Sequence, residues 1–304
     1  MLHELICIDV FDQINKNITA LIFYTHIMRF LKIHIVLFLF FVAGDFLKAQ
    51  SNDMYIVLLA GQSNMAGRGV IRPAVDTISY PNIFSLTRDS VWVRAKNPLH
   101  YDKPEAAVGM GISFAHELAL KLGGNVKIGL VPCAAGGTTI QQWLSNYYFP
   151  VTGPSTGNYY LYDNLINRAK KAAKSGTIIG LLWHQGESDA IDAYFPSYET
   201  NLKIFFQKVR TDLKNPNLAI IAGELGRYLV SNHSYPRQDS INNIINRLKT
   251  TIPFYDVASS YGLVDQDGVH FTSASQVTLG IRYADSLYQM VFLKSAIQNR
   301  KDDK

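Results

Sequence analysis

Ser63 stands in Gly61-Gln62-Ser63-Asn64-Met65, directly behind the apolar run Tyr55 to Ala60, and far downstream comes Asp267-Gly268-Val269-His270. An alcohol is a weak nucleophile at neutral pH, so it needs an adjacent base and a third group that orients the base. Asp267 and His270 are three apart and can project to the same side of a turn. The carboxylate can then accept from one imidazole nitrogen while the other faces the Ser63 hydroxyl. The chemistry implied is acyl transfer through a serine ester. Plainer roles exist for each part: a serine capping the next helix, or a capping Asp beside a surface His. The combination, in this order and directly after a strand, favours the chemical reading.

Acyl transfer also needs donors for the developing oxyanion. Backbone N–H groups at Ser63 and in Cys133-Ala134-Ala135-Gly136-Gly137-Thr138 are suited, because glycine lets the backbone approach closely. The side-chain amide of Gln185, in Trp183-His184-Gln185-Gly186-Glu187, is a third donor, and Gln62, Asn64 and Gly136 are supporting residues. Glu187 and Asp189 can both lie near the site, Glu187 orienting a partner or competing for the role of acid, with a structural ion pair as the alternative. Cys133 reads as a small buried residue. The five histidines after Gln50 show no His-x-x-x-His or carboxylate-rich spacing, so neither a metal nor another cofactor is expected. The run Gly61 to Gly69 lacks the Lys-Ser/Thr ending of a phosphate loop.

Positioning these groups requires a sheet. Short apolar runs at 55–60, 126–132, 178–183 and 218–223, with a weaker one at 254–257, alternate with helical patterns at 112–122, 160–174, 197–214, 237–249 and 273–293. In the last helix Val277, Ile281, Ala284, Leu287 and Val291 form the apolar stripe. Continuous apolar strands separated by helices predict a parallel sheet buried on both faces. Ligands of such sheets bind beyond the carboxyl ends of the strands. Ser63 follows the first strand, Gly136-Gly137 the second and Gln185-Gly186-Glu187 the third, so the reactive types converge on one rim. Two stretches break the alternation: 83–95 reads as an inserted β-hairpin, and 145–160 as a long aromatic loop, either functional or merely packed on the surface.

Residues 1–49 read as a leader. From Met28 onward Arg29 and Lys32 precede the apolar stretch Ile33 to Ala43, and Ala49 offers a cleavage site before Gln50. An uncleaved anchor is the rival, but the run falls short of the ~20 residues a span needs. The expectation is a secreted or periplasmic protein with no stable membrane association once a signal peptide of 28–49 is removed. Residues 50–304 then form one domain, large enough for a sizeable α/β core. Only Cys133 remains there, so no internal disulfide can form. The net charge of +5 is modest. The densest basic stretch, Arg168 to Lys174, reads as the solvated side of an amphipathic helix, not a nucleic-acid surface.

Taken together, Gly61-Gln62-Ser63-Asn64-Met65, Gly136-Gly137-Thr138, Trp183-His184-Gln185-Gly186-Glu187 and Asp267-Gly268-Val269-His270 resemble the ordered blocks of the SGNH hydrolase superfamily. More narrowly they resemble its sialate O-acetylesterase and carbohydrate esterase family six branch, which includes acetylxylan esterases. Val108-Gly109-Met110-Gly111 also looks like that branch. The resemblance implies a three-layer α/β/α sandwich with a central parallel sheet, flavodoxin-like in build, no metal, and removal of O-acetyl groups from carbohydrates. Carried over by position, Ser63 is the nucleophile, His270 the base and Asp267 its orienting acid. The Ser63 backbone, Gly137 in preference to Gly136, and Gln185 serve the oxyanion. Gln185 departs from the superfamily's usual Asn, and its longer side chain needs a different backbone position. Trp143, Tyr147 and Tyr148 are candidate sugar platforms, with a core role as the plain alternative for the Trp. A non-catalytic glycan-binding protein and a lipase-like esterase for longer acyl chains are the alternative functions.

Overall fold

The computed structural model describes residues 54–151 and 159–293. The leader, the expected cleavage site and the middle of the aromatic loop lie outside the described residues. Strand β1 (Met54–Gly61) leads into a four-residue helix α1 (Ser63–Ala66) and a second short helix α2 (Pro73–Asp76). A hairpin of β2 (Ile83–Leu86) and β3 (Trp92–Arg94) follows, then α3 (Gly111–Lys121), β4 (Ile128–Pro132) and α4 (Ile140–Leu144). The aromatic stretch holds β5 (Tyr148–Phe149) and β6 (Tyr159–Tyr160). Beyond it run α5 (Leu161–Ala172), β7 (Gly176–His184), α6 (Phe195–Asp212), β8 (Ala219–Gly223), α7 (Gln238–Arg247), β9 (Tyr255–Ala258) and α8 (Ser273–Tyr288).

Seven strands make one sheet in the order β3-β2-β4-β1-β7-β8-β9. Every neighbouring pair is parallel except β2 with β3. The hairpin is therefore no insertion: β2 extends the sheet beside β4, and β3 forms a short antiparallel edge. β5 and β6 pair only with each other. The two-residue period of β1 sorts its side chains between two cores. Ile56, Leu58 and Ala60 face the layer of α5, α6 and α7, whereas Val57 and Leu59 face that of α3 and α8. Burial on both faces explains why these strands read as unbroken apolar runs.

Two faces differ from the sequence expectation. Arg168 is turned inward, donating to the carbonyls of Leu86, Thr87 and Arg88 at 2.8, 2.9 and 3.3 Å. A guanidinium can serve several such carbonyls at once. In α8 the buried stripe runs through Gln276, Leu279, Gly280, Tyr283, Ala284 and Leu287, so Ala284 and Leu287 are buried as expected while Ile281 is exposed. A side chain at Gly280 would collide with α3, its Cβ lying 2.1 Å from Ser113 Oγ and 2.4 Å from the Met110 carbonyl oxygen. Close backbone approach, not side-chain bulk, chose that face.

β1 lies between β4 and β7 at the centre of the sheet, and the chain completes one side (β2, β3, β4) before it builds the other (β7, β8, β9). That reversal opens a crevice beyond the strand ends, where ligands of such sheets bind.

Candidate active site

The turn carrying Ser63 is clamped to its neighbour strand. Gly61 is paired with His184, and the Gln62 N–H donates to the His184 carbonyl at 2.9 Å. Gly61 adopts a φ of +135°, and a Cβ there would lie 2.0 Å from that same carbonyl oxygen, so only glycine fits. The chain then reverses into α1 with Ser63 as its first residue, Met65 and Ala66 anchoring the turn in the core. At the first position of a helix the Ser63 N–H has no intrahelical acceptor.

The Asp267–His270 turn is anchored at its far end by the fully buried Phe271, whose ring meets those of His184 and Tyr228 at 5.7 and 5.5 Å. His270 Nε2 lies 3.0 Å from Ser63 Oγ, and His270 Nδ1 lies 2.8 Å from Asp267 Oδ2. The other oxygen, Asp267 Oδ1, accepts the backbone N–H groups of His270 (2.7 Å) and Val269 (3.0 Å). Partial burial pushes the Asp267 carboxyl upward. The two backbone donors and the His270 ring outweigh it and hold the group below the usual carboxylate range. The three groups read from the sequence therefore meet, with Ser63 only 7% exposed.

Asn64 joins the two segments. Its Nδ2 donates to Glu187 Oε1 (2.6 Å) and the Val269 carbonyl (3.2 Å), and its Oδ1 accepts from the Phe271 N–H (3.1 Å). It thus grips both neighbours of His270. Glu187 is 1% exposed, lies against the cleft and reaches the turn only through Asn64.

Ser63, His270 and Asp267 border an open cleft of about 520 Å³. Gly136 and Gly137 border it too, but differently equipped. The Gly136 N–H donates to Asp102 Oδ2 at 2.8 Å, whereas among the described residues no acceptor takes the Gly137 N–H. The preference for Gly137 over Gly136 follows this division. Gln185, expected to donate into the cleft, is turned the other way. It is fully buried, and its Nε2 donates to the Thr138 carbonyl (2.9 Å) and to Asp189 Oδ2. Both acceptors are buried and would be costly to leave unpaired. Gln62 borders the cleft instead. Its Oε1 accepts from the N–H groups of Gly186 (3.2 Å) and Ser188 (3.4 Å), leaving its amide hydrogens for another partner.

Trp143 is core: it is fully buried against Trp183 and Phe205, at 5.3 and 5.8 Å between ring centroids, because α4 packs inward on α6. Tyr147 and Tyr148 sit on or beside β5, away from the residues that line the cleft, although Tyr148 is exposed. Cys133 is buried, as its position at a strand end implied. Sequence reasoning passed over Arg68, Lys103, Glu105, Tyr235 and Gln266, all of which border the cleft. Arg68, five residues past Ser63, and Gln266, directly before Asp267, stood near a motif; Lys103, Glu105 and Tyr235 did not. Among the described residues no three His, Cys, Asp or Glu side chains are grouped as a metal ion would require, and no helix is long and apolar enough to cross a membrane.

A probable carbohydrate esterase of Arabidopsis thaliana is 31% identical over 253 residues, covering 76% of this chain and 89% of the relative. An Arabidopsis thaliana crystal structure aligns with a TM-score of 0.67 at 29% identity, over 79% of this chain and 99% of that one. NanS shares the fold at a TM-score of 0.64 and 18% identity, over 80% and 98% of the two chains. A family model for carbohydrate esterases, the sialic acid-specific acetylesterases, matches residues 53–289. The chain, an α/β protein with a mostly parallel sheet flanked by helices, belongs to that carbohydrate esterase family.

Proposed function

We propose that this protein is an exported serine esterase that removes O-acetyl groups from a carbohydrate. The observation that carries the reading is the continuous contact Asp267–His270–Ser63, at 2.8 and 3.0 Å, on the edge of an open cleft. His270 Nε2 takes the Ser63 proton as Oγ attacks the acetyl carbonyl, and Asp267 holds the ring tautomer and offsets the imidazolium charge. The tetrahedral oxyanion is received by the N–H groups of Ser63 and Gly137, with the Gln62 amide as the side-chain donor. His270 returns the proton to the departing sugar oxygen, and water releases acetate from the acyl-serine by the same route reversed.

The family and the named relatives support a carbohydrate as the substrate, and the polar cleft wall, with Arg68, Lys103, Glu105 and Gln266, suits sugar hydroxyls. Export rests on the leader pattern between Met28 and Ala49. The test is acetate release from a panel of acetylated glycans, together with hydrolysis of p-nitrophenyl acetate, butyrate and octanoate. Wild type should cleave the acetate preferentially and Ser63→Ala should lose turnover by several orders of magnitude. Equal rates for wild type and Ser63→Ala would mean a glycan-binding role, and preference for octanoate a lipase-like one.

A further inference from the structure

Asp102 takes no part in the reaction described above, yet it is placed to control it. It lies in the loop between β3 and α3 and is fully buried. Its Oδ2 accepts both the Gly136 N–H at 2.8 Å and Arg68 Nη2 at 2.7 Å, while Oδ1 is buried without a hydrogen-bond partner. On the far side of Gly137 the Thr138 carbonyl is held by Gln185 Nε2 at 2.9 Å. The backbone is therefore held one residue before and one residue after Gly137, and the Gly137 N–H is left for a ligand. Arg68 is fixed in turn. Its Nη1 donates to the Gly67 carbonyl at 2.8 Å, and its own carbonyl accepts from Gln266 Nε2 at 2.6 Å. The Gln266 N–H then donates to the His270 carbonyl at 2.9 Å, linking this assembly to the acid–base turn. A Cβ on Gly136 would lie 2.7 Å from Arg68 Nη2, 3.0 Å from Asp102 Oδ2 and 3.4 Å from Ser63 Cβ. The ion pair is packed against the back of the nucleophile.

We propose that Asp102 is a positioning residue for the Gly137 oxyanion donor, and that Arg68 cancels a carboxylate charge which would otherwise oppose the oxyanion. The proposal rests on the esterase reading above. A buried acceptor fixes the Gly136 peptide, and a misplacement of about 1 Å at a reacting centre costs ~10²-fold in rate. A carboxylate without its cation, one residue from that donor in a poorly solvated site, would disfavour a second negative charge there.

The test compares kcat and KM for p-nitrophenyl acetate in Asp102→Ala, Asp102→Asn, Arg68→Ala and the double variant Arg68→Ala/Asp102→Asn, with melting temperatures for each. Asp102→Ala should lose ~10²-fold in kcat with KM little changed, and Asp102→Asn, which keeps an acceptor for Gly136, should recover most of that loss. The double variant should have a higher kcat than Arg68→Ala alone, because it removes the unpaired charge; a merely structural pair would raise the melting temperature without raising kcat. Should Asp102→Ala fail to fold, the Asn variant and the double variant decide the matter by themselves. Wild-type kcat in a folded Asp102→Ala, an Asn variant as impaired as the Ala variant, or a double variant no faster than Arg68→Ala overturns the proposal. With Ser63→Ala inactive, any of these results leaves the esterase reading standing; wild type no better than Ser63→Ala removes both.

Discussion

Replacing Asp267 by Asn and by Ala should separate two things the carboxylate does. Asp267 Oδ1 is held by two backbone N–H groups, at 2.7 and 3.0 Å, and Oδ2 faces His270 Nδ1 at 2.8 Å. An asparagine must turn its carbonyl oxygen to the backbone donors, so its NH₂ group points at Nδ1. The imidazole can then accept only at Nδ1, its proton moves to Nε2, and the nitrogen beside Ser63 Oγ can no longer act as a base. A wrong tautomer of this kind lowers kcat by ~10⁴ in a serine triad, or about 5.5 kcal/mol in activation free energy. Alanine imposes no tautomer. The Asp267 side chain is 46% exposed, so water can accept the Nδ1 proton, and the loss is mainly the attraction between carboxylate and imidazolium. At contact distance that attraction runs from ~1 kcal/mol in bulk water to ~4 kcal/mol near a protein surface. Half-exposure places it near 2 kcal/mol, ~30-fold in kcat. Hydrolysis of p-nitrophenyl acetate at constant pH, with Ser63→Ala as the floor, measures both. Asp267→Asn should be at least ten times slower than Asp267→Ala. An Asn variant as active as the Ala variant, or more so, would refute the tautomer argument and with it the assigned role of Asp267.

Two further outcomes follow from the placement of buried amides and acids. Gln62→Ala should cost ~10²–10³ in kcat, as removal of an oxyanion donor does, with some loss of melting temperature because the Gly186 and Ser188 N–H groups lose their acceptor, whereas Gln185→Ala should lower the melting temperature with far less effect on kcat. The reverse pattern would restore Gln185 to the oxyanion. Burial pushes the Asp189 carboxyl up to about 7, although hydrogen bonds from Gln185 and the Ile140 N–H pull it down. The folded protein therefore holds this proton more tightly than the unfolded chain, so the contribution is present below about pH 4 and is lost as pH rises through about 7. Asp189→Asn, which cannot ionise, should gain stability relative to wild type across that window, by about 4 kcal/mol at most. Denaturant melts from pH 4 to pH 8 showing a constant difference would refute the buried-charge account.

The sequence alone determined five of the seven strands of the sheet, all but β2 and β3, together with the rim and the chemical trio, and the reason is local. Unbroken apolar runs such as Tyr55 to Ala60 have few ways to be buried other than as central parallel strands. A serine directly after such a strand must lie at its carboxyl end. The Asp267–His270 spacing fits one turn, whatever surrounds it. Other features were decided by partners distant along the chain. Gln185 faces inward instead of toward the cleft because the buried Thr138 carbonyl and the buried Asp189 carboxyl, which also takes the Ile140 N–H, both accept its amide there. Trp143 is core because α4 packs on α6. The buried stripe of α8 was set by the backbone contact of Gly280 with α3. Asp102 reaches Gly136, and Lys103 the cleft, only because the order β2-β4-β1 carries their loop beside Gly136 and Gly137. Where a buried polar group ends up depends on which unpaired atoms the fold brings near it, and that list is written only in three dimensions.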